Sequence, residues 1–259
     1  MLRFESLARL MLRCVYTDLD GTLLGRGGSL FHDADGNFSL LAARALEACH
    51  RAGVEVVIKS GRRRTSVAED ARLIGQRSYI YEVGSAVVID GEETRLVDSG
   101  YDEIAASGAP ALLLDRFELE YHAPWHVARE VSHLMRGRLD VAEANRLLAE
   151  RGHDDLRLVD NGALGTDPSK RVYHLLPRDA SKATAVAFHM RARGYAPAEC
   201  IGVGDSREDV GVAEVVGRFF LVANADSSLA GAAANVEVTE GRNGDGFYEA
   251  VVRSLAECR

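Results

Sequence analysis

Cys14-Val15-Tyr16-Thr17-Asp18-Leu19-Asp20-Gly21-Thr22-Leu23 is the stretch on which the fold turns. A short apolar run that stops abruptly at acid reads as a buried strand, with polar residues at its carboxyl end. The chain downstream repeats this plan. Ser39 to Ala52 reads as a helix: Ser39 is a plausible N-cap, Leu40, Leu41, Leu46 and Cys49 recur at helical spacing, and Gly53 ends it. Val54 to Ile58 is a β-branched second strand, Thr65 to Ile74 a helix closed by Gly75, and Tyr79 to Val83 a third strand. Strands that alternate with helices predict an α/β fold with a doubly wound parallel sheet.

The pattern changes at about residue 86. Val87 to Ile89, Asp90-Gly91 and Arg95 to Val97 read as a β-hairpin. His126 to Arg136 carries Val127, Val131, Leu134 and Met135 at helical spacing, and Val141 to Glu150 reads as a further helix. Leu156 to Asp160, Asn161-Gly162 and Val172 to Leu176 predict antiparallel strands around a tight turn. The alternation returns with a helix from Ser181 to Arg193, a strand from Cys200 to Val203, a helix from Glu208 to Val215, a strand from Phe219 to Val222 and a helix from Gly246 to Ala256. The expected organisation is a core of residues 1–85 and 179–259, with an inserted α+β domain at 86–178.

Composition narrows the function. The 259 residues are 47% hydrophobic and 27% charged, which excludes a disordered or low-complexity chain. The net charge of −8 argues against nucleic acid or an anionic membrane surface as partner. No apolar run approaches the ~20 residues of a membrane helix. Cysteines at 14, 49, 200 and 258 show no CxxC spacing, so reduced thiols in a cytoplasmic protein are expected rather than a zinc site or disulfides. The first ten residues read as an extension ahead of the first strand.

The chemistry gathers at strand ends. After the first strand come Asp18, Asp20 and Thr22; after the second, Ser60-Gly61-Arg62; after Ile201-Gly202-Val203, Gly204-Asp205-Ser206 and then Asp209. In an open parallel sheet the carboxyl ends of the strands form the ligand crevice. Clustered carboxylates repel one another and call for a cation, and oxygen ligands without cysteine or histidine suit Mg2+. A serine with glycine-flanked N–H groups cradles an anion, and Lys182 adds positive charge at a helix start beside Ser181. Together these point to phosphoryl transfer.

The sequences DLDGTL at 18–23, SGR at 60–62, SK at 181–182 and GDSRED at 204–209 resemble the four motifs of haloacid-dehalogenase-superfamily phosphatases. The insertion resembles the type IIB cap of Cof-like, sucrose-phosphate and mannosyl-3-phosphoglycerate phosphatases. Asn224-Ala225 and the run VTEGRNGDGF at 238–247 are similar to the Cof-like C-terminal segment. The resemblance implies a Rossmann-like core and a Mg2+-dependent phosphatase acting through an aspartyl-phosphate. It implies Asp18 as nucleophile and metal ligand, Asp20 as acid/base with its carbonyl on the metal, and Asp205 as metal ligand supported by Asp209. Ser60, Gly61 and Lys182 would hold the phosphate. Two positions depart from the pattern: Glu208 stands where the family usually has Asn, and Val83-Gly84 where Cof-like members often have Asn-Gly.

Substrate-facing candidates are Arg62, His122, His126, Arg171 and His174, although the histidines around Trp125 also suit simple packing, and Arg63 and Arg64 a solvated helix start. The expected partner is a small phosphate ester, a sugar phosphate or phosphoglycerate derivative. A phosphomutase of the same superfamily and a non-catalytic metabolite-binding protein are the alternatives.

Overall fold

The computed structural model describes residues 11–257 except 165 and 166, so the expected N-terminal extension and Cys258 lie outside the described residues. In chain order the elements are β1 (Cys14–Thr17), α1 (Leu41–Ala52), β2 (Glu55–Lys59), α2 (Arg64–Leu73), β3 (Tyr79–Tyr81), β4 (Ala86–Ile89), β5 (Glu92–Arg95), α3 (Tyr101–Ala106) and α4 (Ala109–Arg116). Next come β6 (Glu118–Tyr121), β7 (His133–Arg138), α5 (Val141–Glu150), β8 (Leu156–Leu164), β9 (Asp167–Pro177) and α6 (Lys182–Arg193). The last are β10 (Cys200–Gly204), α7 (Arg207–Val210), β11 (Arg218–Leu221), β12 (Val236–Val238) and α8 (Asn243–Glu257). Two compact units emerge: Met1–Val57 with Met190–Arg259, and Ile58–His189.

The first unit is a parallel sheet in the order β12-β11-β10-β1, with Cys14 opposite Cys200 and Thr17 opposite Val203. β1 and β10 are buried on both faces, which explains their lack of polar alternation. Tyr16, Phe219, Phe220 and Phe247 fill its core, and α1 packs against α8. Ser39 Oγ accepts from Leu41 N–H at 3.3 Å, and Gly53 ends α1 in the left-handed conformation at φ +68°. Cys14, Cys49 and Cys200 are free, buried thiols. Burial pushes the last two up to about 12.

In the second unit the end of β2 pairs in parallel with β3, after which β4 and β5 continue antiparallel. A separate antiparallel sheet has the order β6-β7-β9-β8. Its core includes Ile104, Leu113, Met135, Leu148, Leu158 and Tyr173. The hairpin that opens the change of pattern thus extends the sheet of β3, and the separate sheet begins at Glu118. A hairpin has the same alternation whichever sheet it joins, so its sequence does not reveal its partner.

Two further expectations are corrected. Residues 126–136 are not helical: an irregular segment leads into β7, whose residues are buried on both faces and therefore lack strand alternation. Asn161-Gly162 is not the hairpin turn but lies within β8, where the register shifts between Asp160 and Ala163 and Gly162 takes φ +103°. Helices α3 and α4 have no counterpart in the sequence reading. No helix among the described residues is long and apolar enough to cross a membrane.

Candidate active site

In the first unit Asp18 follows β1 directly, and its N–H donates to Val203 O on β10 at 3.1 Å. It is 6% exposed. Asp205 follows β10, so the parallel pairing of the two strands sets both acids at one edge. Asp18, Asp205 and Asp209 each offer a carboxylate oxygen, all within 4.8 Å of one another. Thr22 Oγ1 donates to Asp205 Oδ1 at 3.3 Å. Gly21 has φ +80°, and a Cβ there would lie 2.2 Å from Asp205 Oδ2, so only glycine fits this turn. Asn224 Nδ2 donates to Gly21 O at 2.8 Å and braces the same turn.

Asp209 is fully buried, and its carboxylate accepts from Ser206 N–H and Oγ–H, which caps α7. One acid thereby both completes the group and anchors the helix that follows Asp205. Asp20 has an exposed side chain outside that group of three. An all-oxygen donor set with Asp18 and Asp209 buried fits a hard divalent cation, which Asp18 and Asp205 would hold with Asp209 behind them.

In the second unit Ser60 is buried at the end of β2. Its Oγ accepts from Arg62 N–H at 3.1 Å, which leaves its own hydrogen to donate. Ser60 O accepts from Val83 N–H and Arg62 O from Glu82 N–H, both at 3.0 Å. The 60–62 loop is therefore bound to the turn that follows β3. That turn holds Glu82, Val83 and Gly84 at φ +45°, +60° and +92°. A Cβ on Gly84 would lie 2.0 Å from Ser181 O, so the turn also abuts the start of α6. Ser181 Oγ caps α6 through Thr184 N–H at 3.0 Å, and Lys182, 3% exposed, is its first residue. Ser60, Gly61 and Lys182 thus share one scaffold.

The substrate-facing candidates separate into two groups. Arg62 pairs with Asp70 of α2 at 2.8 Å, and Arg171 pairs with Asp160 of β8, so each guanidinium has a carboxylate partner within the protein. Arg64 lies exposed at the start of α2, as expected, and pairs with Glu93 at 2.7 Å. His174 does approach the loop: a Cβ on Gly61 would lie 2.9 Å from its Nε2. Burial, then the charges of Arg129, Lys182 and His122, hold His174 well below the usual histidine range. His122 is lowered by burial and by the charges of Arg136, Arg129 and His126. The Nδ1 atoms of His122 and His126 are buried without a hydrogen-bond partner.

Sequence reasoning missed Glu82 and Arg129. Both are buried, with Arg129 Nη1 3.9 Å from Glu82 Oε2. Glu82 stands at the carboxyl end of β3, where the rule that found the other acids also applied. Arg129 sits in an irregular segment with no local signal.

Comparisons agree with this geometry. Residues 156–251 match the model of the haloacid dehalogenase-like hydrolases. A phosphoglycolate phosphatase of Archaeoglobus fulgidus is 29% identical over 242 residues, covering 92% of this chain and 95% of that protein. The crystal structure of a Thermoplasma acidophilum protein superposes with a TM-score of 0.73 at 18% identity, covering 94% of this chain and 98% of that one. The sucrose-phosphatase of Synechocystis sp. PCC6803, solved with sucrose and phosphate, superposes at 0.70 with 17% identity over 94% and 98%. Over residues 156–251 the chain is thus similar to haloacid dehalogenase-like hydrolases, and over nearly its whole length to phosphatases.

Proposed function

We propose that this chain hydrolyses a small, carboxylate-bearing phosphate monoester of the phosphoglycolate class, using Mg2+ and an aspartyl-phosphate. The observation that carries the reading is the group of Asp18, Asp205 and Asp209 at the carboxyl ends of β1 and β10, with Asp18 and Asp209 buried. Mg2+, held by Asp18, Asp205 and the Asp20 carbonyl, would supply neutralising charge for the phosphoryl oxygens.

An Asp18 oxygen attacks phosphorus and the ester P–O bond breaks. Asp20, whose side chain is exposed, gives its proton to the leaving oxygen. It then takes a proton from the water that attacks phosphorus, the bond to Asp18 breaks and orthophosphate leaves. Ser60, the Gly61 N–H and Lys182 hold the phosphoryl oxygens. We assign this chemistry to residues 1–85 and 179–259, and leaving-group recognition to 86–178.

The substrate class is supported by the Archaeoglobus fulgidus phosphoglycolate phosphatase and by a Methanoculleus marisnigri protein of the same name, 28% identical over 246 residues. It is also supported by the partnerless Nδ1 atoms of His122 and His126, the first of which lies in the field of Arg136 and Arg129. Such nitrogens suit an acceptor such as a carboxylate. Three buried free thiols fit a reducing, cytoplasmic setting. The test compares kcat/KM for phosphoglycolate and ethyl phosphate with Mg2+ present. A preference for phosphoglycolate of at least ~10-fold is expected. Equal efficiency would remove the carboxylate reading, and no phosphate release from any small ester would remove the function.

A further inference from the structure

Arg129 is 8% exposed, and the placement of its donors is unusual for a buried ion pair. A guanidinium beside a carboxylate ordinarily closes on it with two short parallel bonds. Here Nη1 stays 3.9 Å from Glu82 Oε2. Nη1 and Nη2 instead both donate to Gly61 O, at 3.2 and 3.1 Å, and Nη1 also donates to Ser132 Oγ at 2.8 Å. Nε donates to Trp125 O at 3.2 Å.

The carboxylate of Glu82 is likewise turned to backbone. It accepts from the N–H groups of Glu130, Val131 and Ser132 at 2.8, 3.1 and 2.6 Å, and from Ser132 Oγ–H at 3.0 Å. Since the Ser132 hydrogen goes to Glu82, His174 Nδ1, 3.3 Å from that oxygen, is the donor between them. Nε2 of the neutral ring then faces Gly61 as an acceptor, where no side chain larger than glycine fits.

A buried ion pair replaced by apolar residues often leaves a protein as stable or more so, so stability alone is a weak reason for this one. Its products are two fixed peptides. Glu82 fixes 130–132, and Arg129 fixes the carbonyl of the loop that carries Ser60. We propose that Arg129 is the positioning residue of the phosphate loop, clamping the Gly61 peptide so that the Ser60 hydroxyl and the adjoining N–H groups keep the spacing of a phosphate. This rests on the reading of Ser60-Gly61 as the phosphate cradle. The clamp acts through the loop and touches no substrate.

Arg129→Lys keeps the charge beside Glu82 but cannot reproduce the paired donation of Nη1 and Nη2 to Gly61 O together with the Nε bond to Trp125 O. Calorimetry with orthophosphate and Mg2+ should give a Kd raised by at least ~10-fold, and kcat/KM for phosphoglycolate should fall by ~10–100-fold, with a Tm near that of the wild type. Leu148→Ala, a fully buried site far from this network in sequence, is the destabilised control and should leave the orthophosphate Kd unchanged. An unchanged Kd in Arg129→Lys overturns the proposal, as does an equal rise in Leu148→Ala. Should Arg129→Lys fail to fold, Ser132→Ala removes one Arg129 contact, and the Kd decides in the same way. A wild-type chain that binds orthophosphate but hydrolyses no ester refutes the catalytic reading and leaves the Kd comparison intact.

Discussion

At Asp18 two roles pull in opposite directions. Asp18 is 6% exposed within a group of three acids, an arrangement that costs stability without a cation, yet in the proposed mechanism its charge is what attacks phosphorus. Asp18→Asn keeps the shape and removes the charge. Turnover should fall by at least ~10³-fold while Tm holds or rises in metal-free buffer. Wild-type turnover in that variant would end the aspartyl-phosphate mechanism. The positions of Asp18, Ser60, Lys182 and Asp205 were legible because each lies at a strand end or a helix start, which local pattern marks. Arg129 was not, because its meaning lies in a carbonyl 68 residues away, and nothing near it in the chain predicts that partner.

Among elements, the turn after β3 has the tightest demands. Three consecutive residues take positive φ, and two of them, Glu82 and Val83, are not glycine. Such backbone persists only where its surroundings fix it, here the four donors on Glu82 and the start of α6 against Gly84. Gly84→Ala would press a Cβ to 2.0 Å from Ser181 O at φ +92°. We expect a loss of about 2 kcal/mol or more and a weakened orthophosphate Kd, since Lys182 is the next residue after Ser181. Unaltered thermal unfolding and phosphate binding would show that α6 yields without cost. The alternating half of the fold was legible because each buried strand is short, apolar and ended by a turn residue. The stretch from 101 to 138 was not. There Gly137 at φ +151° lies where a Cβ would meet Glu118 O at 2.0 Å, so the pairing of β6 with β7 overrides a helical spacing of apolar residues.

For the whole molecule, two linked equilibria set stability. His174 and His133 are each 1% exposed, and burial lowers both below the usual 6.5. The native state holds them neutral while the unfolded chain takes up protons. Their contribution is therefore present above pH 6.5 and is lost as pH falls below it, by at most about 1.4 kcal/mol per pH unit for each proton. Tm should drop between pH 7.5 and 5.5, and His174→Gln should flatten the slope; an unchanged slope would mean that the ring is protonated in the folded state. The second equilibrium is with the cation. Asp18, Asp205 and Asp209 come within 4.8 Å only in the folded chain, so Mg2+ should bind the native state and scarcely the unfolded one. By mass action, free Mg2+ at 100 times its Kd should add about 2.7 kcal/mol and raise Tm accordingly. Asp205→Asn removes one ligand oxygen charge without touching the Ser206–Asp209 cap of α7, so it should keep its metal-free Tm and lose the Mg2+ increment. EDTA should abolish phosphate release and excess Mg2+ restore it. Ca2+ should raise Tm while inhibiting, because its larger and looser oxygen shell misplaces Asp18 relative to phosphorus. Full turnover in EDTA, or a Tm indifferent to Mg2+ in the wild type and in Asp205→Asn alike, would remove the metal from the mechanism and leave the three acids as a purely structural group.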